Sequence, residues 1–412
     1  MMTRMLFQRY QPDRRVLIII VTCIGLVISC LYPAPSPCGP AKGIGYLLST
    51  PEGKPILSQN IDQQFIPASI LKLLTALCAI HSLGIDFRFK TTWYVEPATR
   101  DLYIKGFGDP LFISEEIEQL CSRMASDIPA VLNTRHIRNI VLDHTFFDTT
   151  ISIPGTGYSL NPYDATSGAL CTNFNTIFFA WNDAQEKYIS AEPQTPLLDS
   201  MIPLITESGL KKGRITLPKS RAERYPGELI RYFLKQKGIQ TQGNIRSGIM
   251  MRTTGHAYES TKSLEDLVRD LMTYSNNFMA NQILLAVGAQ VLSEPATLSK
   301  GIQVLRTFTE QELDIGGFSL AEGSGISRQN RITPAQMIRI LEAFRPYHHL
   351  LPRSDHTFYK TGTLAGIRTR AGYIMGHNDR LFPFVVMVNQ SGSGYKKILN
   401  EMIRIVLEHP EQ

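Results

Sequence analysis

The chain has 412 residues, 43% of them hydrophobic, and its 42 Lys and Arg against 36 Asp and Glu give a net charge of +6. That is enough chain for two or three domains with a sizeable core, and the scattered Gly and Pro exclude a fibrous or low-complexity protein. No Lys/Arg run with interleaved aromatics occurs, which argues against nucleic acid as a partner. None of the six cysteines has metal-ligand spacing, and neither His-Glu-x-x-His nor Cys-x-x-Cys occurs, so no metal or other cofactor is expected.

Arg4, Arg9, Arg14 and Arg15 precede an uncharged apolar run over residues 16–28. A basic segment followed by such a run is the pattern of a signal peptide, here residues 1–29. The run is short for a transmembrane helix. With Asp13, the four arginines account for +3 of the net charge, so the chain beyond residue 29 is only mildly basic. Val27-Ile28-Ser29-Cys30 resembles the bacterial lipobox, which makes Cys30 a candidate lipidation site. An ordinary signal and an uncleaved anchor are the alternatives. All three carry the body of the protein into the periplasm or cell envelope, with a membrane as a neighbour in the anchored cases. Residues 30–41 are Pro-rich and read as a tether. Of the remaining cysteines, Cys78 lies in an apolar helix and reads as a small core residue.

Residues 43–48 and 55–58 read as strands around the turn Pro51-Glu52-Gly53. Residues 67–83 read as a helix, with Pro67 tolerated at its start and Gly84 as its stop. This helix is apolar almost all round, so it belongs inside a core. Strands follow at 91–95 and 102–105, then the breaker Gly106-Phe107-Gly108-Asp109-Pro110. A helix over 114–125, strands at 137–142, 176–181, 215–217 and 245–250, and a helix over 226–237 make up a mixed segment without a chemically suggestive constellation. Residues 91–250 are therefore assigned to an inserted domain, and 42–90 with 251–412 to a catalytic domain. Helical texture returns at 264–273 and at 279–289, the second apolar on one face. Thr333-Pro334 is a good helix opening for a helix to residue 344. Strands at 357–360, 370–375 and 382–388, with a turn at His377-Asn378-Asp379, precede a closing amphipathic helix over 395–408. The fold class expected is mixed α/β (α+β), an antiparallel sheet flanked by helices.

Ser69 heads the buried helix and Lys72 lies three residues on, on the same face. A serine hydroxyl is a weak nucleophile until a base takes its proton, and a buried lysine near another cation can be that base. Ser-x-x-Lys recurs at Ser208 to Lys211 and Ser393 to Lys396, so spacing alone says little. Two further motifs stand in order behind Ser69. Ser275-Asn276-Asn277 lies between two helical stretches, although Ser-x-Asn also occurs at Ser58 and Ser159. Lys360-Thr361-Gly362-Thr363 lies on a strand, and Lys-Thr-Gly occurs only there. A glycine beside a strand lysine lets a substrate backbone approach closely.

Together these motifs resemble the serine penicillin-recognising enzymes. Residues 323–334 (GSGISRQNRITP), 360–373 (KTGTLAGIRTRAGY) and Gly108-Asp109-Pro110 are similar to one branch, the low-molecular-mass class C penicillin-binding proteins, or D-Ala-D-Ala carboxypeptidase/endopeptidases. The chain departs from that group at Glu322, where Asp is usual, and at Asn281, where an acidic residue is common. Neither position is one assigned to chemistry.

The resemblance implies a transpeptidase-like fold and a serine DD-peptidase acting on peptidoglycan stem peptides and acylated by β-lactams. It implies Ser69 as nucleophile, Lys72 as base, Ser275 as proton relay and Asn277 as a partner of Lys72 and of the substrate amide. Lys360 would add positive potential, the Thr361 and Thr363 hydroxyls beside Gly362 would receive the substrate carboxylate, and the N–H groups of Ser69 and Thr363 would form the oxyanion hole. A β-lactamase or esterase on the same fold, and a non-catalytic wall-binding protein, are the competing readings. Arg328, Arg331 and Arg368 are expected to brace loops, His348 and His349 to be solvated, and Asp143 and Asp148 to sit at a strand end and a turn.

Overall fold

The structure is a computed structural model that describes residues 43–408 apart from 158, 252–254 and 391–393. The expected signal peptide, Cys30, the tether over 30–41 and Ser393 lie outside the described residues.

The central element is a six-stranded antiparallel sheet. Its strands run, in spatial order, Arg353–Ser354, Thr357–Leu364, Ile367–Met375, Leu381–Val388, Ile44–Ser49 and Pro55–Gln59. The sequence of Leu381–Val388 is apolar without alternation, and seven of its residues are buried, which requires cover on both faces. One face takes Leu399, Met402 and Val406 of the C-terminal helix Gly394–Glu408 against Phe382, Phe384, Val386 and Ile374. On the other face lie the Ser69 helix and Pro334–Phe344, whose Leu341 carbonyl accepts the buried Tyr373 hydroxyl. Thr333, the expected N-cap, completes a reciprocal cap with Gln336 at the start of Pro334–Phe344.

Several helices depart from expectation. Asn277–Leu292 is enclosed on every side over residues 278–289, not on one face. The cover comes from Leu298–Gln311, a helix that the sequence pattern does not announce. The two cross where Gly288 meets Gly301; a Cβ on Gly288 would stand 2.6 Å from the Gly301 nitrogen. Gly301, which permits that approach, is also what weakens the helical pattern of its own segment. The helix expected to begin at Pro67 starts as a 3-10 turn, Ala68–Leu71, and becomes α-helical at Lys72, running to Leu83. Gly84 ends it with φ 86°.

Residues 88–263 build the second part of the fold. A five-stranded mixed sheet runs Ile245–Ser247, Ile140–Asp143, Asp101–Gly106, Arg88–Glu96, His256–Ser263, so its first and last strands in sequence pair side by side. Helices Ser114–Leu132 and Lys219–Gln236 share its core with Trp93, Leu102 and Ile104. The second helix starts seven residues before Pro226, which lies inside it. A three-stranded sheet, Lys187–Ser190, Thr176–Asn182 and Lys212–Thr216, stands beside them. The single strand expected at 137–142 is two short ones, broken where the buried Asp101 carboxylate accepts from Arg138 and Asn139. Gln282 ties this part to the buried helix: its amide donates to the Gly168 carbonyl at 2.9 Å and accepts from the Gly168 N–H at 3.1 Å. Cys78, Cys121 and Cys171 are free and buried.

Candidate active site

The site is built around a forced turn. Ala68 holds φ 50°, a left-handed conformation that a non-glycine residue adopts only when its surroundings fix it. Here Asn389 grips Ile66 by both its N–H and its carbonyl, and the Thr369 hydroxyl donates to the Pro67 carbonyl at 2.7 Å. Two glycines pass so close that no side chain fits. A Cβ on Gly325 would stand 1.9 Å from the Ala68 carbonyl oxygen, and one on Gly362 would stand 2.2 Å from Thr369 Oγ1 and 2.9 Å from the Ser69 nitrogen. The Lys360 strand and the 322–330 loop thus clamp the turn that presents Ser69.

Lys72 is fully buried, and its Nζ has three oxygen neighbours: Asn277 Oδ1 at 2.7 Å, the Ser324 carbonyl at 2.7 Å and Ser69 Oγ at 3.1 Å. Burial, and then the positive charge of Lys360, push Lys72 well below the ordinary lysine range, while Glu322 pulls it the other way. The geometry then fixes the lone pair. A neutral amine has two N–H groups, and the two carbonyl oxygens can only accept. They take both hydrogens, and the lone pair is left facing the one neighbour that can donate, the Ser69 hydroxyl.

Ser275 and Asn277 come from a break between helices. Leu264–Tyr274 ends on Ser275 with φ 57°, and Asn276 caps the next helix by accepting from the Met279 N–H. This places Asn277 on Lys72 and Ser275 on the other lysine: Lys360 Nζ donates to Ser275 Oγ at 2.7 Å and to the Thr361 carbonyl at 3.1 Å. Lys360 is itself buried, and that burial, with Arg370 nearby, brings it down to about 8. Two linked clusters result, Ser69 and Asn277 on Lys72, and Ser275 on Lys360, with the charge of the second lysine felt by the first. Gly362 lies against the Ser69 nitrogen, while Thr361 and Thr363 are exposed at the neighbouring strand positions. Such a set can deprotonate a hydroxyl, receive its proton and attract a carboxylate.

Sequence reasoning missed what holds the second acceptor, the Ser324 carbonyl, in place. Glu322 is fully buried and accepts from Asn281, from the backbone of Ser324, Gly325 and Ser327, and from the side chains of Ser324 and Asn330. Thr75, on the Lys72 helix, donates to the Gly323 carbonyl at 2.7 Å. The available signal was the pair of departures at 281 and 322, which meet in space. Arg328 and Arg368 brace loops through the carbonyls of Ala365 and of Leu364 and Ile367, and Arg331 does so through that of Asn330. His349 is exposed, whereas His348 is half-buried with its ring edge-on to Phe358. Asp143 and Asp148 hold turns through Thr145 and Thr150. Among the described residues no group of three or more His, Cys, Asp or Glu is placed to hold a metal ion.

The sheet, its helical cover and this constellation define a penicillin-recognising serine hydrolase fold. Residues 40–193 and 205–353 match the D-Ala-D-Ala carboxypeptidase 3 (S13) family, and the chain belongs to it. It is an enzyme of the serine-type D-Ala-D-Ala carboxypeptidase class. A D-alanyl-D-alanine carboxypeptidase of Actinomadura sp. (strain R39) is 20% identical over 89% of this chain and 81% of the relative. Penicillin-binding protein 4 of Haemophilus influenzae superposes with a TM-score of 0.72 at 19% identity, over 88% of this chain and 96% of that one, and has also been solved with a β-lactam. A predatory endopeptidase of Bdellovibrio bacteriovorus, solved acylated by penicillin G, gives a TM-score of 0.52 at 15% identity over 88% and 93% of the two chains.

Proposed function

We propose that the protein is a serine DD-peptidase of the cell envelope that cleaves the terminal D-Ala-D-Ala bond of peptidoglycan stem peptides, and D-Ala-meso-diaminopimelate cross-links, through a Ser69 acyl-enzyme. The observation that carries this is the Lys72 amine with two carbonyl acceptors and one hydroxyl neighbour, Ser69. Lys72 takes the Ser69 proton as Oγ attacks the substrate carbonyl. The Oγ–C bond forms, the C–N bond breaks, and Ser275 passes a proton to the leaving D-Ala amine. Lys360 keeps Lys72 neutral and draws the substrate carboxylate to Thr361 and Thr363. The N–H groups of Ser69 and Thr363 receive the charge that develops on the carbonyl oxygen. Water then releases the acyl group and restores Ser69. In this reading residues 42–90 and 251–412 are the catalytic body and 91–250 is an insertion that flanks it, and Cys30 is the candidate lipid anchor.

A labelled penicillin, followed by mass mapping, tests the assignment: the adduct is expected on Ser69, together with release of D-Ala from a pentapeptide. A label elsewhere would sink it, and rapid turnover of penicillin without a lasting adduct would make the protein a β-lactamase. The mass of the mature N-terminus tests Cys30.

A further inference from the structure

The two acceptors that orient Lys72 arrive from separate parts of the chain. Asn277 opens a buried helix, and the Ser324 carbonyl sits on a Gly-rich loop. A lone pair is aimed only if both stay fixed relative to each other. One contact spans them. Asn281 lies four residues after Asn277, on the same face of the same helix. Its Nδ2 donates to Glu322 Oε2 at 3.1 Å, and its Oδ1 accepts from the Gly323 N–H at 2.8 Å. Glu322 then gathers the loop: its Oε2 accepts from the Ser324 N–H at 2.7 Å, and its Oε1 from the Gly325 N–H at 2.7 Å. Both residues are buried, Asn281 2% and Glu322 0% exposed.

We infer that Asn281 and Glu322 act as one positioning unit for acylation, holding the Ser324 carbonyl on Lys72 at a fixed distance from Asn277. This rests on Lys72 acting as the base. The chemistry of the two residues is matched. Each carboxylate oxygen of Glu322 receives three donors, which only an anion can satisfy at both atoms. Asn281 must offer one donor and one acceptor, which a carboxylate at that position could not do; a second carboxylate would also meet Glu322 across a buried contact. The longer Glu and the neutral Asn therefore belong together. The charged groups that face Lys72 are Lys360 from the strand and Glu322 from the loop, while its own helix and the Asn277 helix present Ser69 and the Asn277 amide. Glu322 thus fixes the base in space and sets how readily it holds a proton.

The test uses the purified protein with Asn281→Ala, Glu322→Asp and Glu322→Gln. Acylation by a labelled penicillin is followed against pH, and amide exchange of Ser324 and Gly325 is measured on the same samples without ligand. Asn281→Ala and Glu322→Asp are expected to lower the limiting acylation rate of the folded fraction at least about tenfold. The penicillin concentration at half-maximal rate stays within about twofold, as for a group that acts on the base and not on binding. Exchange at Ser324 and Gly325 should quicken in both variants. Glu322→Asp keeps the acid limb of the profile in place, whereas Glu322→Gln, lacking the charge that favours protonated Lys72, moves it to lower pH. Quickened exchange with an unchanged rate, an unchanged exchange with a lower rate, or no change in either overturns the inference. A Glu322→Gln protein that does not fold leaves the decision to the other two variants. If the unsubstituted protein takes no label, the proposed function falls, and the exchange rates alone decide whether the pair holds the loop.

Discussion

Asn277→Asp is the sharpest perturbation of the site, because it changes charge with almost no change in shape. The substituted side chain could still accept from Lys72 Nζ at the 2.7 Å now separating the amide oxygen from it. The new carboxylate, however, favours the ammonium form. A unit pair at that distance is worth about 1.5 kcal/mol in water and about 6 kcal/mol at an effective dielectric of about 20. Each ~1.4 kcal/mol is a tenfold change in the ratio of neutral to protonated Lys72. Even the lower figure moves the acid limb of Ser69 acylation up by about one pH unit, a roughly tenfold loss of rate at any pH on that limb. The sign is specific: the acid limb of the pH profile moves up, and the rate recovers as the solution becomes more alkaline. Rapid-quench penicillin labelling from pH 5 to about 10 reads both features. A uniform loss at every pH, or a limb that does not move, would refute the assignment of Lys72 as a neutral base oriented by Asn277.

Lys360 is held down to about 8 by burial and Arg370, so its charge, and with it the capture of carboxylate-bearing substrates, should fade as pH rises through about 8. Arg370→Gln should move that fall to higher pH in kcat/KM measurements, and an unmoved limb would assign the fall to another group. Buried Asp109 is raised from 3.8 to about 7 by burial, with Glu116 adding to it. Its folded value lies above its unfolded one, so its contribution is fully present below about 3.8 and is lost as pH rises to about 7, a change of about 4 kcal/mol at most. Asp109→Asn keeps the acceptor for the Leu111 N–H and should flatten urea stability between pH 4 and about 8; a variant as pH-dependent as the parent would refute this. Gly325→Ala meets the Ala68 carbonyl at 1.9 Å and carries φ 84°, so it should cost several kcal/mol, of which overpacking alone is about 1–3, and should abolish labelling of Ser69. Wild-type labelling in that variant would show that the clamp on the turn is dispensable.

The sequence by itself marked the residues that meet in the candidate site. Ser69, Lys72, Ser275, Asn277 and Lys360 were each readable because every one sits in a short motif whose local structure is also locally encoded: a buried helix start, a helix break, a strand with a glycine. Most strands and helices followed from apolar spacing for the same reason, although the strands Lys187–Ser190 and His256–Ser263 and the helix Ile202–Ser208 were not expected. Only tertiary structure decided how the Lys72 amine is aimed. Glu322 and Asn281 read as mere departures, since a buried carboxylate is explained by donors that lie 2 to 8 residues away and, through Asn281, 41 residues away. Leu298–Gln311 was missed because Gly301, unfavourable within its own helix, is required by the close approach to Gly288. Local propensity is a property of neighbours along the chain. The orientation of the Lys72 lone pair is set by two carbonyls that only the fold brings within 2.7 Å of one nitrogen.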